Sequence, residues 1–281
     1  MMLLMRAFAF LLACASGFAA AQEEVPFITT PDQVTLALLE LAQVGPQDHV
    51  IDLGSGDGRI VITAARRFGA SGLGVEIVPE LVRKSREAAR VAGVAARVDF
   101  REEDLFATDL ARATVVTLYL LPELNLQLRP RLLALPAGTR VVSHDWEMGD
   151  WLPERSLTID VPDKAVGRDK TSRVHLWVVP ARVDGLWCSG RTRLRVTQRL
   201  GHFSAELHTA DQPQAPAMVF DGRIVGTRLH AQPPHDVQLH ARPPHDAQLQ
   251  APFDRLHVER IGAAGSMLAG QALTRAGAGG C

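Results

Sequence analysis

Apolar and polar positions follow two rhythms along the chain, and the switch between them divides it. From Thr35 to Val44 apolar residues recur at helical spacing, at Leu36, Leu38, Leu39, Leu41 and Val44, and Asp32 after Thr30-Pro31 is placed to cap that helix. The stretch HVIDLGSGDGRIVITAARRFG, residues 49–69, predicts a strand, a glycine turn and a helix stopped by Gly69. GLGVEIV is a second strand, and Pro79 opens a helix that runs to about Ala92. RVDFREEDL is a third strand with acids at its end, and ATVVTLYLLP, a continuous apolar run, suits a fourth strand covered on both faces. Leu124 to Leu135 is helical in pattern, TRVVSHDW is a fifth strand, and VHLWVVP is a later one. Strands alternating with helices predict an α/β fold with a doubly wound, mainly parallel sheet, which binds ligands at the C-terminal ends of its strands.

After Pro180 the helical rhythm fades. Short strands with turns predict a small β-rich appendage over residues 181–261, with Asp221-Gly222 as a hairpin signal. Two near-identical decamers, LHAQPPHDVQ from Leu229 and LHARPPHDAQ from Leu239, carry His-Asp pairs that suit either a metal site or a duplicated Pro-rich loop. Nothing else marks a metal site, so the loop is the expectation, and no metal is assigned. The Gly/Ala-rich residues 262–281 predict a flexible tail.

Composition narrows the picture little. The chain has 281 residues and a net charge of −1, so no whole-protein field favours nucleic acid, and no nucleic-acid partner is expected. Cys14, Cys188 and Cys281 are widely spaced, which argues against a zinc ribbon or a Cys-x-x-Cys redox site. Residues 1–21 combine a positive start, an apolar run and Ala19-Ala20-Ala21 before Gln22, the pattern of a cleaved signal peptide or an N-terminal membrane anchor. An exported, periplasmic or membrane-anchored protein is therefore expected, with a body over residues 22–180.

The glycine turn carries the chemistry. Gly54 and Gly56 fit a dinucleotide fingerprint, but Arg59 stands where its third glycine belongs, and no Gly-Lys-Ser/Thr follows for a P-loop. Asp52, two residues before Gly54, would repel a pyrophosphate and suits a ligand with an ammonium or sulfonium charge. Glu76, ending the second strand, can accept hydrogen bonds from both hydroxyls of a ribose, and Glu103 and Asp104 can reach the exocyclic amine of an adenine. With Ser55 and Asp57 in the turn, this ordered set describes an S-adenosylmethionine site.

DLGSGDGR from Asp52 and GVE at Gly74 to Glu76 resemble motif I and the following acidic motif of class I, seven-strand methyltransferases of Rossmann-like fold. FITTPDQV from Phe27, EEDLFATDL, ATVVTLYLLPELNLQLRPRLL and GTRVVSHDWEMGDW resemble, more narrowly, one group. It comprises bacterial proteins and the mitochondrial protein-lysine methyltransferases that modify ATP synthase subunit c and the adenine nucleotide translocase. The resemblance covers residues 27–180 and implies S-adenosylmethionine as cofactor and a protein lysine, in a protein that can be a membrane protein, as acceptor. Outside it stand a small-molecule methyltransferase and a non-catalytic exported binding protein. By position in such enzymes Tyr119, Glu123, Asn125 and Asp145, beside His144 and Trp146, are the acceptor-side candidates, with Glu123 and Asn125 expected on the loop after the fourth strand. Thr30 and Pro31 resemble a segment that covers the cofactor.

Overall fold

The computed structural model describes residues 28–165, 169–190, 192–210, 216, 218–232, 237–242, 253–261, 270–277 and 281. The expected signal peptide or anchor lies outside them. In the first half, β1 (His49–Leu53), β2 (Ser71–Glu76), β3 (Val98–Glu102), β4 (Val115–Leu118), β5 (Arg140–His144), β6 (Arg155–Asp160) and β7 (Thr171–Val178) form one sheet in the order β3-β2-β1-β4-β5-β7-β6. β1 to β5 are parallel, and β7 is antiparallel to both β5 and β6. This is the seven-strand Rossmann-like sheet of class I methyltransferases.

Neighbouring residues in each central strand face opposite sides, because successive Cβ atoms alternate across a pleated sheet. Val50, Val115 and Val142 join the core under α1 (Asp32–Leu41), with Val34, Leu38 and Leu39. Ile51, Val116 and Val141 join the opposite core with Leu128 of α4 (Pro122–Leu132), Trp151 and Trp177. Burial on both faces explains the continuous apolar runs.

Local details depart from the sequence reading. Asp32 is the first helical residue of α1 rather than its cap; Pro31 precedes it, and no side chain caps the helix. β6, which the sequence reading does not predict, is an edge strand paired only with β7, and of its alternating apolar residues Leu157 stays exposed and Ile159 is only partly buried. Glu123 and Asn125 lie in the first turn of α4, not in a loop, because Pro122 opens the helix as a residue whose missing N–H needs no partner.

The appendage is an antiparallel barrel closed by β8 (Gly185–Ser189), β9 (Thr192–Arg199), β10 (His202–Thr209), β11 (Met218–Val225), β12 (Arg228–Ala231), β13 (Val237–Arg242), β14 (Arg255–Ile261) and β15 (Ala272–Arg275). Alternate residues, among them Trp187, Leu194, Val196, Phe203, Phe220 and Leu256, fill its interior, so it is packed rather than hollow. Asp221-Gly222 is no hairpin: β11 runs through it, and the turn comes at Gly226-Thr227. A Cβ on Gly222 would collide with His230 O and stand 2.6 Å from the Phe203 ring, so that glycine serves close strand approach. The decamers are partly strand: Leu229 and Leu239, their first residues, pair across β12 and β13, while their Pro-Pro-His-Asp segments lie outside the described residues. The predicted tail is corrected too, since β15 pairs with β14 and β8 and Cys281 is bonded to Cys188.

The barrel docks on the segment after β5. Arg223 pairs with Glu154 at 3.0 Å and Arg199 with Asp150 at 3.0 Å, and Asp150 also pairs with Arg129 of α4.

Candidate functional site

Parallel order puts the C-terminal ends of β1 to β5 along one edge, with Asp52, Glu76, Asp104, Tyr119 and Asp145 at or just beyond the strand ends, the edge at which sheets of this kind form their ligand crevice. The glycine turn closes over β2: the N–H groups of Gly54 and Ser55 donate to Val75 O at 3.0 and 2.8 Å. Gly54, Gly56 and Gly58 all have positive φ, at 79°, 54° and 79°. Gly58 heads α2 (Arg59–Phe68) and faces the Phe100 ring so closely that a Cβ would lie 2.6 Å from it. It is the third glycine of the turn, one position before the place a dinucleotide fingerprint reserves.

Asp52 is buried, and its Oδ1 accepts the Thr117 hydroxyl at 2.6 Å. Burial pushes its carboxyl up to about 7, and the charges of Glu76 and Asp57 add to the rise while Thr117 opposes it. An acid held near its titration point is a carboxylate short of a cation. Glu76 holds the turn: Oε2 accepts Gly56 N–H at 3.0 Å, and Oε1 accepts the N–H groups of Ile77 and Val78 at 2.9 and 3.0 Å. Asp104 Oδ1 accepts Phe106 N–H at 2.8 Å, and Glu103 donates its N–H to Glu76 O at 3.1 Å. Ile77, 62% exposed, follows Glu76 directly, and Phe106 stands two residues after Asp104, giving apolar faces near both acids. Ser55 Oγ is buried without a hydrogen-bond partner at the same turn. Acids, positive-φ glycines, apolar faces and an orphaned hydroxyl together fit S-adenosylmethionine.

Arg59, noticed in the sequence only for excluding a dinucleotide, ties the site together. Its guanidinium binds Asp57 through Nε at 3.0 Å and Nη2 at 2.7 Å, and Nη1 donates to Thr30 O at 2.9 Å. Burial alone would raise the Asp57 carboxyl, but Arg59 beside it brings it below the ordinary range. Asp57 is thus committed to positioning Thr30 through Arg59. Thr30 is buried, and its hydroxyl meets His144 Nδ1 at 3.3 Å.

On the acceptor side the Tyr119 ring lies against His144, with centroids 3.9 Å apart and planes at 31°. Burial lowers His144 to about 4, so it is neutral near pH 7, and its Nε2 shares a proton with Ser172 Oγ at 2.9 Å. Tyr119 is raised by burial and then by the Asp145 charge, and stays a phenol. Asp145 stands beside them, and Lys164 Nζ, which no sequence signal marked because it lies 19 residues away, reaches its Oδ2 at 2.7 Å. Asn125 is corrected: it is fully buried, donates to Ser143 Oγ and Trp146 O at 3.3 Å each, and so braces the β5 end rather than facing an acceptor. Glu123 is exposed at the start of α4, with no hydrogen bond to this cluster. Among the described residues, no group of His, Cys, Asp and Glu is arranged to hold a metal.

Comparison with known proteins converges on this half of the chain. Residues 52–155 match the family model described as the ANTKMT methyltransferase domain. The protein-lysine N-methyltransferase of Saccharolobus islandicus (strain REY15A) is 41% identical over 138 residues, 48% of this chain and 86% of that protein. The adenine nucleotide translocase lysine N-methyltransferase of Mus musculus is 34% identical over 131 residues, 46% of this chain and 57% of that protein. The chain thus spans little more than half the length of the mouse relative. The crystal structure of an RNA methyltransferase from Salinibacter ruber, in complex with S-adenosyl-L-homocysteine, is 49% identical with a TM-score of 0.50, covering 56% of this chain and 96% of that one.

Proposed function

Because the chain belongs to the S-adenosylmethionine-dependent methyltransferases of the ANTKMT family, we propose that its acceptor is a lysine side chain of a protein. The observation that carries this is the 41% identity to a protein-lysine N-methyltransferase across 86% of that enzyme. Bound at the crevice, S-adenosylmethionine supplies an electrophilic methyl on a sulfonium. The chain's residues do the rest. Asp52 balances a cationic ligand, Glu76 and Asp104 fix its nucleoside, and Thr30, held by Arg59, covers it.

A lysine amine must lose its proton before it can attack, which at pH 7 costs about 4–5 kcal/mol from an ordinary pKa of ~10.4. The ring pair of half-buried Tyr119 and buried His144 lowers that cost by desolvating the amine. No covalent enzyme intermediate is needed, so positioning dominates catalysis.

An RNA acceptor, suggested by the name of the Salinibacter ruber enzyme, finds less support. The segments that follow β4 and β5 carry exposed apolar Leu121, Leu126, Trp146 and Leu152 with the acids Glu123 and Glu147, whereas a phosphate backbone calls for a basic track. Exposed apolar residues of this kind suit an apolar protein segment around a lysine, as in a membrane protein. The same proposal places the protein outside the cytoplasm. The pattern of residues 1–21 and the Cys188–Cys281 disulfide, of a kind that persists in oxidising compartments, both support export.

Incubation with S-adenosylmethionine labelled in its methyl group, a membrane fraction and an RNA fraction tests the acceptor. Label in methyl-lysine, lost in Asp52→Ala, is expected; label confined to RNA or to small molecules overturns the lysine reading.

A further inference from the structure

Asp145 has a φ of +64°, a left-handed conformation that is uncommon outside glycine and gathers at functional sites. The residue is clamped there from both sides by β7. Its N–H donates to Arg173 O at 2.7 Å, and its Oδ1 accepts Arg173 N–H at 2.9 Å. Its other oxygen, Oδ2, lies 3.6 Å from His144 Nε2 and is paired with the Lys164 ammonium at 2.7 Å. Lys164 comes from the connection between β6 and β7. Because β6 runs parallel to β1 to β5, that connection emerges at the same edge as the cofactor crevice.

The occupant's chemistry matters. Only Lys84, Lys164 and Lys170 among the 30 basic Lys and Arg side chains are lysines; elsewhere arginine pairs with the acid, as at Asp57 and Asp150. At Asp145 the chain uses a primary ammonium, a point charge with three rotatable donors, whose second acceptor here is Thr171 O at 2.7 Å. A strained, clamped carboxylate beside the Tyr119–His144 rings therefore already holds the head group that the proposed acceptor carries. Exposed Leu121 and Trp146, close to Tyr119 and Asp145 in sequence, offer apolar surface for the methylenes of a lysine.

We propose that Asp145 is the subsite for the acceptor's lysine ammonium, and that Lys164 occupies it until an acceptor lysine displaces it. This rests on the protein-lysine reading. Exchange of one ammonium for another leaves the carboxylate paired throughout, and the displaced Lys164 side chain returns to water. The subsite gathers the protonated amine, and because a carboxylate favours the charged form the amine leaves it on giving up its proton for methyl transfer; Asp145 is a positioning element.

The test is steady-state methylation of a lysine-containing peptide by the full chain, with cofactor Kd measured by calorimetry to show that each variant is folded. Lys164→Met is expected to lower KM for the peptide about fivefold without lowering kcat, the scale of a partly shielded ion pair. Lys164→Arg should raise KM, since a guanidinium is harder to displace. Asp145→Asn should raise KM about tenfold, and the double variant Lys164→Met/Asp145→Asn should match Asp145→Asn alone, because Lys164 competes only through that carboxylate. An unchanged or raised KM in Lys164→Met, or an unchanged KM in Asp145→Asn, overturns the subsite and leaves the lysine reading standing. Should Lys164→Met fail to bind cofactor, an unchanged KM in Lys164→Arg overturns it equally. A wild-type chain that binds cofactor but methylates no lysine defeats both.

Discussion

Thr117 donates its hydroxyl to Asp52 Oδ1 at 2.6 Å across the β1–β4 pairing, and this single hydrogen bond is what the structure gives a carboxyl that burial raises to about 7. The sign of the resulting pH dependence is fixed. Between about pH 4 and 7 the folded chain holds a proton on Asp52 that the unfolded chain releases, so stability falls as pH rises through that window and the loss is complete above 7. A sulfonium favours the ionised form. Cofactor affinity should therefore increase from pH 6 to 8, and the stabilisation by cofactor should be larger at pH 8. Titration calorimetry checks this; Asp52→Asn should bind at least about tenfold more weakly, with that pH dependence gone.

Glu76 clamps the glycine turn, since its two oxygens take three backbone N–H groups, and the proposed function gives it the ribose as well. Glu76→Ala is expected to weaken cofactor binding about a hundredfold and to lower Tm, as three amides lose a charged acceptor. Binding within a few-fold of wild type would remove Glu76 from the site.

Gly58→Ala should destabilise the fold by about 2–4 kcal/mol, because a Cβ there meets the Phe100 ring and Ser85 Cβ at 2.6 Å in a left-handed backbone. Denaturant unfolding measures it. Gly93→Ala has no atom within 4 Å of its Cβ and a φ of +70°, so it isolates the backbone part of the penalty.

Tyr119→Phe keeps the ring against His144 and removes only the hydroxyl. If the phenol relays the amine's proton, kcat falls about tenfold to a hundredfold while cofactor Kd holds. An unaltered kcat would reduce Tyr119 to a packing residue.

Cys188→Ser opens a link across 93 residues that joins β8 to the end of the chain. A loop of that length predicts a loss of about 4.6 kcal/mol from the barrel. Cofactor affinity should be kept, because the crevice shares no residue with the barrel; calorimetric unfolding with and without reductant reads both.

How much of this was written in the sequence follows from the range of the forces involved. Periodicity reports burial, so strands buried on both faces, such as VVTL in β4, and the helices beside them were legible, and the order of acids after successive strands, Asp52, Glu76 and Asp104, outlined the cofactor. β6 was not legible because its apolar alternation, Leu157 and Ile159, is short, as befits an edge strand whose side chains stay mostly exposed. Asp221-Gly222 carried the local chemistry of a turn, but the approach of Phe203 and His230 from neighbouring strands decided that the glycine would lie inside β11. Likewise the barrel's closure by β15 and the meeting of Cys188 with Cys281 join segments far apart in sequence, and no local pattern encodes such pairing. The acceptor side shows the division most clearly. The sequence supplied Tyr119 and Asp145 as candidates, whereas the stacking of His144 on Tyr119, the withdrawal of Asn125 into the core and the seating of Lys164 on Asp145 depend on strand order and side-chain packing, which only the assembled sheet determines.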